Sequence, residues 1–286
     1  MTDPPLVVLS HYQARPLLMA RAHREPQAPC SPDLGRTKVT VSLSPFGVTF
    51  PWGWRLPWEA VETIAQDENG CFRITESGEA HRIQAFSALT GRLVSLYPPS
   101  KAPTLLLSGI PMHRIKGIDP WEDTRRKIRA LGKGLRGRVL DTATGLGYTA
   151  IQAAARVQQV DTVELDPTVL AVARQNPWSQ ELFTAPNIVQ HQGDVAEVIT
   201  AFPAGAFDAV LHDPPAFRLA GHLYSTAFYR QLYRVLRPGG RLFHYVGDPG
   251  SRSGRNITRG VVERLRQAGF RDLRPFPAAF GVVGRR

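Results

Sequence analysis

Beyond Gly132 the chain alternates short runs of apolar and β-branched residues with stretches of helical periodicity, a rhythm few folds can accommodate. Strand-like runs at 138–142, 160–165, 187–190, 207–212 and 241–246 are separated by helix-like stretches at 148–157, 168–176, 195–202 and 222–236. Parallel strands need long crossovers, and helices supply them, so this half is expected to be an α/β domain whose mostly parallel sheet carries helices on both faces. A helix over 257–268 and two short strands at 270–276 and 279–283, joined by a proline-containing turn, predict a C-terminal β-hairpin that closes the sheet.

The first strand runs directly into a glycine turn and a helix: Val139-Leu140-Asp141-Thr142-Ala143-Thr144-Gly145-Leu146-Gly147-Tyr148-Thr149-Ala150. Glycines at 145 and 147 let the backbone approach a ligand closely, and the crevice at the carboxyl ends of a parallel sheet is where ligands of such folds lie. The string also satisfies the dinucleotide pattern G-x-G-x-x-A, so by itself it leaves a dehydrogenase open. Three acids narrow the choice. Asp141 stands before the glycines, where a carboxylate suits a cationic amino-acid moiety and repels a pyrophosphate. Glu164 ends the second strand at the spacing of an acid that accepts ribose hydroxyls, a feature NAD enzymes share. Gly193-Asp194-Val195 follows the third strand and offers a carboxylate to an adenine amino group. Taken singly, Asp166 and Asp194 read equally well as helix caps.

In this order the residues resemble the class I methyltransferases. The likeness runs from about 119 to 286 and implies a seven-stranded, Rossmann-like methyltransferase sheet. It also implies S-adenosyl-L-methionine as cofactor, held by Asp141, Thr142, Ala143, Thr144, Gly145, Gly147, Tyr148, Glu164, Leu165, Asp194 and Val195. Leu236-Arg237-Pro238-Gly239-Gly240 is similar to the turn before the fifth strand in this class. Ala143 departs from the glycine that many members carry.

Phe207-Asp208-Ala209-Val210-Leu211-His212-Asp213-Pro214-Pro215-Ala216-Phe217 looks like the (Asp/Asn)-Pro-Pro-aromatic motif of methyltransferases that act on amino groups. A conjugated NH₂ is a poor nucleophile and must be aligned by acceptors; Asp213 and the Pro214 carbonyl are the candidates, with Phe217 placed to stack on a base. Asp-Pro-Pro-x-Phe is also similar to RNA methyltransferases that use a cysteine nucleophile on cytosine carbon. The two cysteines, Cys30 and Cys71, lie outside this domain, which disfavours covalent catalysis. His212, His244 and Tyr245 are candidates for the pocket lining.

The remainder divides into a loosely ordered or docking segment over 1–36, a smaller β-rich N-terminal domain over 37–118 with strands at 37–43, 47–50, 71–75, 81–85 and 104–107, and the cofactor domain over 119–286. The junction is Asp119-Pro120-Trp121-Glu122, a helix-start pattern that opens a basic helix to about 131. Of the strings outside the motifs, 112–117 reads either as a segment reaching the mouth of the cleft or as a linker, and Asn176-Pro177 as a helix stop.

With 35 Lys and Arg against 24 Asp and Glu, the formal charge of +11 favours a polyanion. Clusters at Arg114, Lys116, Arg125, Arg126, Lys127, Arg129, Lys133, Arg136 and Arg138, and from Arg252 onward, point to RNA, with DNA less favoured. No apolar run suits a signal or membrane span and no Cys/His spacing suits a metal, so a cytoplasmic protein without membrane or metal partners is expected. The reading is therefore methylation of an exocyclic amine in RNA. The alternative is transfer to a small-molecule, polyamine or protein amine, including aminopropyl transfer, because polyamine synthases share this architecture. A polycation calls for an acidic pocket, and Asp213 is the one convincing acid in the substrate loop.

Overall fold

The structure is a computed structural model that describes residues 6–248 and 250–286, with the side chains of 252 and 253 excepted. The chain divides into two compact units, one comprising Met1–Pro120 with Thr168–Gln180, the other Trp121–Pro167 with Glu181–Arg286.

The second unit contains a seven-stranded sheet. Its strands are β1 (Arg138–Asp141), β2 (Gln159–Glu164), β3 (Ile188–Gln192), β4 (Phe207–His212), β5 (Leu236–Tyr245), β6 (Arg271–Phe276) and β7 (Gly281–Arg285), in the order β3-β2-β1-β4-β5-β7-β6. The first five run parallel, and β7 is antiparallel to both β5 and β6. This is a Rossmann-like methyltransferase fold. Strand order reverses between β2 and β4 on either side of β1, so the loops after β1, β2 and β4 open into one crevice.

The expected turn at 236–240 is absorbed into β5. Phe207 pairs with Leu236 and Ala209 with Arg241, so the Arg237–Gly240 stretch bulges between two pairings that are adjacent on β4. One face of the sheet is covered by the helices Thr226–Val235 and Arg252–Gln267. Phe228, Tyr229, Leu232 and Val235 recur along one side of the first, Val261 and Leu265 lie on the second, and both meet Phe207, Val210 and Leu242. Ser225 starts the first of these helices by accepting from the Phe228 amide at 3.1 Å.

The N-terminal unit is rich in short antiparallel strands. They form a three-stranded sheet and two four-stranded sheets. Its helices His11–Ala22 and Trp58–Gln66 pack together and bury Leu17, Trp58, Val61 and Ile64 with Phe50 and Leu56. The segment expected to be loosely ordered thus carries a strand (Val7–Leu9), a helix and a second strand (Gln27–Cys30), with residues 1–5 outside the described part. Local chemistry explains the helix: Ser10 and Gln13 form a capping box, and Ala14, Leu17 and Ala20 fall on one buried stripe despite Pro16.

Thr168–Gln180 belongs to this unit and not to the continuous domain drawn from 119. The Trp178 indole donates to the Leu34 carbonyl at 3.1 Å, and the Arg36 guanidinium donates to the Pro177 carbonyl. The helix Pro167–Arg174 stops just before Asn176, as expected, and Asn176 also starts the short helix Pro177–Ser179 by accepting from the Trp178 amide.

Candidate active site

The turn after β1 is tied to both neighbouring strands. The Thr142 amide donates to Leu211 O at 3.0 Å on the β4 side, and the Thr144 amide donates to Val163 O at 2.9 Å on the β2 side. Gly145 and Gly147 have φ of 53° and 76°, in the left-handed region. A Cβ on Gly145 would meet nothing within 4 Å, whereas one on Gly147 would strike Leu182 Cδ2 at 2.7 Å. The two glycines therefore serve different needs: Gly147 permits close packing beneath the turn, and Gly145 faces open space.

Asp141 is buried at the end of β1. Its Oδ2 accepts from the Thr149 hydroxyl at 2.9 Å and the Thr162 hydroxyl at 3.0 Å, and the Thr144 hydroxyl donates in turn to Thr162 at 2.7 Å. Oδ1 is buried and has no hydrogen-bond partner among the described residues. Burial pushes this carboxyl up to about 7, against the opposing effect of the two hydroxyls.

Glu164 ends β2 and accepts from the Gly145 amide at 2.8 Å and the Asp166 amide at 3.1 Å, so it braces the glycine turn as well as lining the crevice. Burial raises its carboxyl above the usual range. Leu165 beside it is 46% exposed, an apolar surface beside these carboxylates. Asp194 caps the helix Val195–Val198 through the Ala196 amide at 2.8 Å, and its other oxygen lies 3.4 Å from His222 Nε2. Thr142, Thr144, Tyr148 and Val195 are buried and Ala143 is half-buried. Tyr148 stands edge-on to Trp121, and Val195 lies in the sheet core.

The loop after β4 places Asp213 with its side chain 18% exposed and Phe217 with 48% of its surface open. The Tyr224 hydroxyl donates to the Pro215 carbonyl at 3.1 Å, and the Tyr224 ring meets Phe217 edge-on at 5.3 Å. No described residue donates to the Pro214 carbonyl. His212 is held on both sides: its Nε2 lies 3.0 Å from Leu223 O, which can only accept, so Nδ1 accepts from the Thr142 hydroxyl at 2.7 Å. Burial pushes its pKa down to about 3, leaving a neutral ring that ties the glycine turn to the Asp213 loop. His244 bonds the Tyr229 hydroxyl at 2.8 Å and is likewise lowered by burial. The histidines line the site from within, as buried structural groups.

Sequence reasoning missed Lys127 and Asp123. Lys127, counted with the basic surface, is 1% exposed; its Nζ lies 2.6 Å from Asp213 Oδ2 and 3.1 Å from Asp123 Oδ2. The i, i+4 spacing of Asp123 and Lys127 was the available signal.

Other members of the basic clusters also turn out to be engaged. Arg125, Arg126 and Arg129 surround Glu122, and Arg138 forms a two-pronged pair with buried Asp161. Arg264 and Arg286 of the C-terminal cluster donate to backbone carbonyls, as do Arg234 and Arg241 outside the clusters. Arg252 lies outside the side chains described. Around Asp213 the local balance is acidic, with Asp123 and Asp141 exerting their charges on or from it beside a single lysine.

Cys30 and Cys71 are buried in the N-terminal unit, and burial pushes the Cys30 thiol up to about 12 and the Cys71 thiol upward as well. Among the described residues no helix is long and apolar enough to cross a membrane, and no cluster of three or more His, Cys, Asp or Glu is placed to hold a metal ion.

Comparison with known proteins places this geometry. A profile described as a methyltransferase domain matches residues 139–240. The chain is 43% identical over 256 residues to the uncharacterized protein MJ1233 of Methanocaldococcus jannaschii, covering 88% of this chain and 86% of that protein. It is 29% identical over 181 residues to polyamine aminopropyltransferase 2 of Streptomyces coelicolor, covering 60% of this chain but only 31% of that protein. A crystal structure of spermidine synthase in complex with the transition state analogue AdoDATO superposes with a TM-score of 0.60 at 18% identity, over 71% of this chain and 72% of the other. The chain belongs to the same family as MJ1233 and is a transferase enzyme with the class I S-adenosylmethionine-dependent methyltransferase-like fold.

Proposed function

We propose that the protein transfers a small alkyl group from an S-adenosyl sulfonium to an amine nitrogen of a small molecule. The observation that carries this reading is the Asp213 loop: a largely buried carboxylate next to the free Pro214 carbonyl gives two acceptors aimed at one N–H-bearing group.

Two features support a nucleoside of this type in the crevice. The buried Asp141 Oδ1 lacks a partner that a cationic aminoalkyl group would provide, and the space before Gly145 admits a ligand against bare backbone. Asp141, Thr142, Ala143, Thr144, Gly145, Gly147, Tyr148, Glu164, Leu165, Asp194 and Val195 would hold it, Tyr148 and Val195 through their backbones. The bound cofactor supplies an electrophilic carbon attached to positively charged sulfur. Asp213 and Pro214 O would accept hydrogen bonds from the acceptor nitrogen and so orient its lone pair, the Asp213 carboxylate would take the one proton released as the N–C bond replaces the S–C bond, and Phe217 and Tyr224 would form an apolar wall beside it.

Methylation of RNA was expected from the net charge. Many of the contributing arginines and Lys127 serve internal carbonyls and carboxylates, which weakens that support, and the acidic balance at Asp213 removes the objection to a cationic acceptor. The aminopropyltransferase relative favours a small amine too.

The test offers the enzyme S-adenosylmethionine and its decarboxylated form together with diamines, polyamines and total RNA, and identifies the nucleoside product by mass spectrometry. S-adenosylhomocysteine reports methyl transfer and methylthioadenosine reports aminopropyl transfer. Either product formed only with amines, and lost by 100-fold or more in Asp213→Asn while nucleoside affinity persists, supports the proposal. Label incorporated only into RNA would overturn it.

A further inference from the structure

The basic helix Pro120–Ala130 hides one of its cations. Helical periodicity turns Arg125, Arg126 and Arg129 towards Glu122 on the outer side, and places Asp123 and Lys127 on the buried side. A buried ammonium is costly unless it is paired, and this one has two carboxylates, Asp213 at 2.6 Å and Asp123 at 3.1 Å, with the Tyr245 ring centroid 4.6 Å away. Its geometry is that of a clamp: the nearer contact is a short charge-assisted bond to the residue of the reactive loop, and the farther one anchors the clamp to its own helix.

We propose that Lys127 is a positioning residue that grips Asp213 by Oδ2 and so presents the other carboxylate oxygen, still charged, to the acceptor amine. This rests on the reading of Asp213 given above. The groups that act on Asp213 or on which it acts are Lys127 and Asp123 on the basic helix, Asp141 on β1 and Tyr224 after the Asp-Pro-Pro loop, and Tyr245 on β5 acts in turn on Lys127 and Tyr224. Of these, Lys127 alone favours the ionised carboxyl; burial and Asp123 both oppose it. Lys127 itself is held well above the ordinary lysine range by the two carboxylates, so it stays protonated and cannot serve as the base. Burial already raises the Asp213 carboxyl above the usual carboxylate range, and without Lys127 it rises further, so a larger share of it carries a proton and donates where an acceptor is needed. The loss then falls on turnover and is relieved by raising the pH.

The test uses full-length protein carrying ¹³C at the aspartate carboxyls, with Asp213→Asn to assign the resonance, in wild type, Lys127→Met, Lys127→Arg and the double variant Lys127→Met/Asp123→Asn. The double variant also removes the second, stranded carboxylate and guards against misfolding. Expected are a rise of at least one pH unit in the Asp213 titration in both methionine variants, S-adenosylhomocysteine affinity within twofold of wild type, an acid limb of the transfer rate displaced by the same amount, and partial rescue in Lys127→Arg. An unchanged Asp213 titration in a folded methionine variant overturns the role of Lys127. A displaced titration with an unmoved transfer profile supports the clamp and overturns the reading of Asp213 as the partner of the acceptor.

Discussion

Adding a single methyl group at residue 145 separates the crevice from the fold that carries it. In Gly145→Ala the new Cβ meets no atom within 4 Å, so steric cost in the ligand-free protein is absent and the remaining penalty is conformational. An L-residue at φ 53° costs roughly 1–2 kcal/mol. The stiffer unfolded chain offsets about 0.5 kcal/mol of this, leaving on the order of 1 kcal/mol. For a unit of this size that corresponds to a fall in Tm of about 2–4 °C. At Gly147 the same substitution adds contacts of 2.7, 2.9 and 3.0 Å to Leu182, and overpacking raises the total to about 2–4 kcal/mol. Affinity should rank differently. The methyl of Gly145→Ala projects into the space assigned to the nucleoside and is expected to weaken S-adenosylhomocysteine at least tenfold, which is about 1.4 kcal/mol. Scanning and titration calorimetry on the same samples give both quantities. A Gly145→Ala protein that binds the nucleoside within twofold of wild type would refute the assignment of this turn as the cofactor cradle.

Asp141 makes a signed prediction about pH. Its carboxyl rises from 3.8 to about 7 on folding, so between those values the native state holds a proton that the unfolded chain has released, and its contribution falls as pH increases through this window, by on the order of 4 kcal/mol at most. Urea midpoints of wild type relative to Asp141→Asn should decline from pH 5 to pH 8; a rise would sink the assignment. If a cationic aminoalkyl group sits beside Oδ1, the affinity of wild type for S-adenosylhomocysteine should increase through pH 7, and that dependence should vanish in Asp141→Asn. Asp161 shows the opposite sign. Arg138, His191 and Gln159 hold its carboxyl below the usual range, so its contribution is present above pH 4 and disappears as the pH falls. Arg138→Met should cost about 2 kcal/mol by urea denaturation, less than a fully enclosed pair because Arg138 is about one-third exposed. It should also move acid unfolding to higher pH, and an unchanged acid midpoint would contradict the pairing.

The parallel half was readable because its central strand is apolar on both faces and the helix after it has one apolar side: β4, at 207–212, falls where the residues put it. The strand Arg92–Tyr97 escaped notice because leucine, valine and tyrosine occupy both of its faces, with Leu93 43% exposed, so no period of two stands out. The helix His11–Ala22 was hidden by Arg15, Pro16 and Arg21, whose polar weight masks a stripe made largely of alanine. At the site, Asp141, Glu164 and Asp213 could be placed at strand ends from their order alone. Lys127 could not, since a lysine among three arginines of one helix reads as surface until the face carrying Asp123 is seen to be covered. The +11 charge misled for a related reason: a sum over residues does not distinguish an arginine in solvent from Arg234, which is engaged with Ile199 O and Phe202 O.

Because Thr168–Gln180 completes the N-terminal unit, that unit cannot finish folding in the order in which it is synthesised. The 47 residues from Trp121 to Pro167 must leave the ribosome first, a delay of roughly 2–10 s at ordinary elongation rates. Through that interval the Leu34 carbonyl waits for the Trp178 indole and Arg36 for the Pro177 carbonyl. A nascent chain stalled before Thr168 would therefore expose an incomplete edge to chaperones and proteases, and cutting the gene at the codon for Pro120 would not yield two self-sufficient pieces.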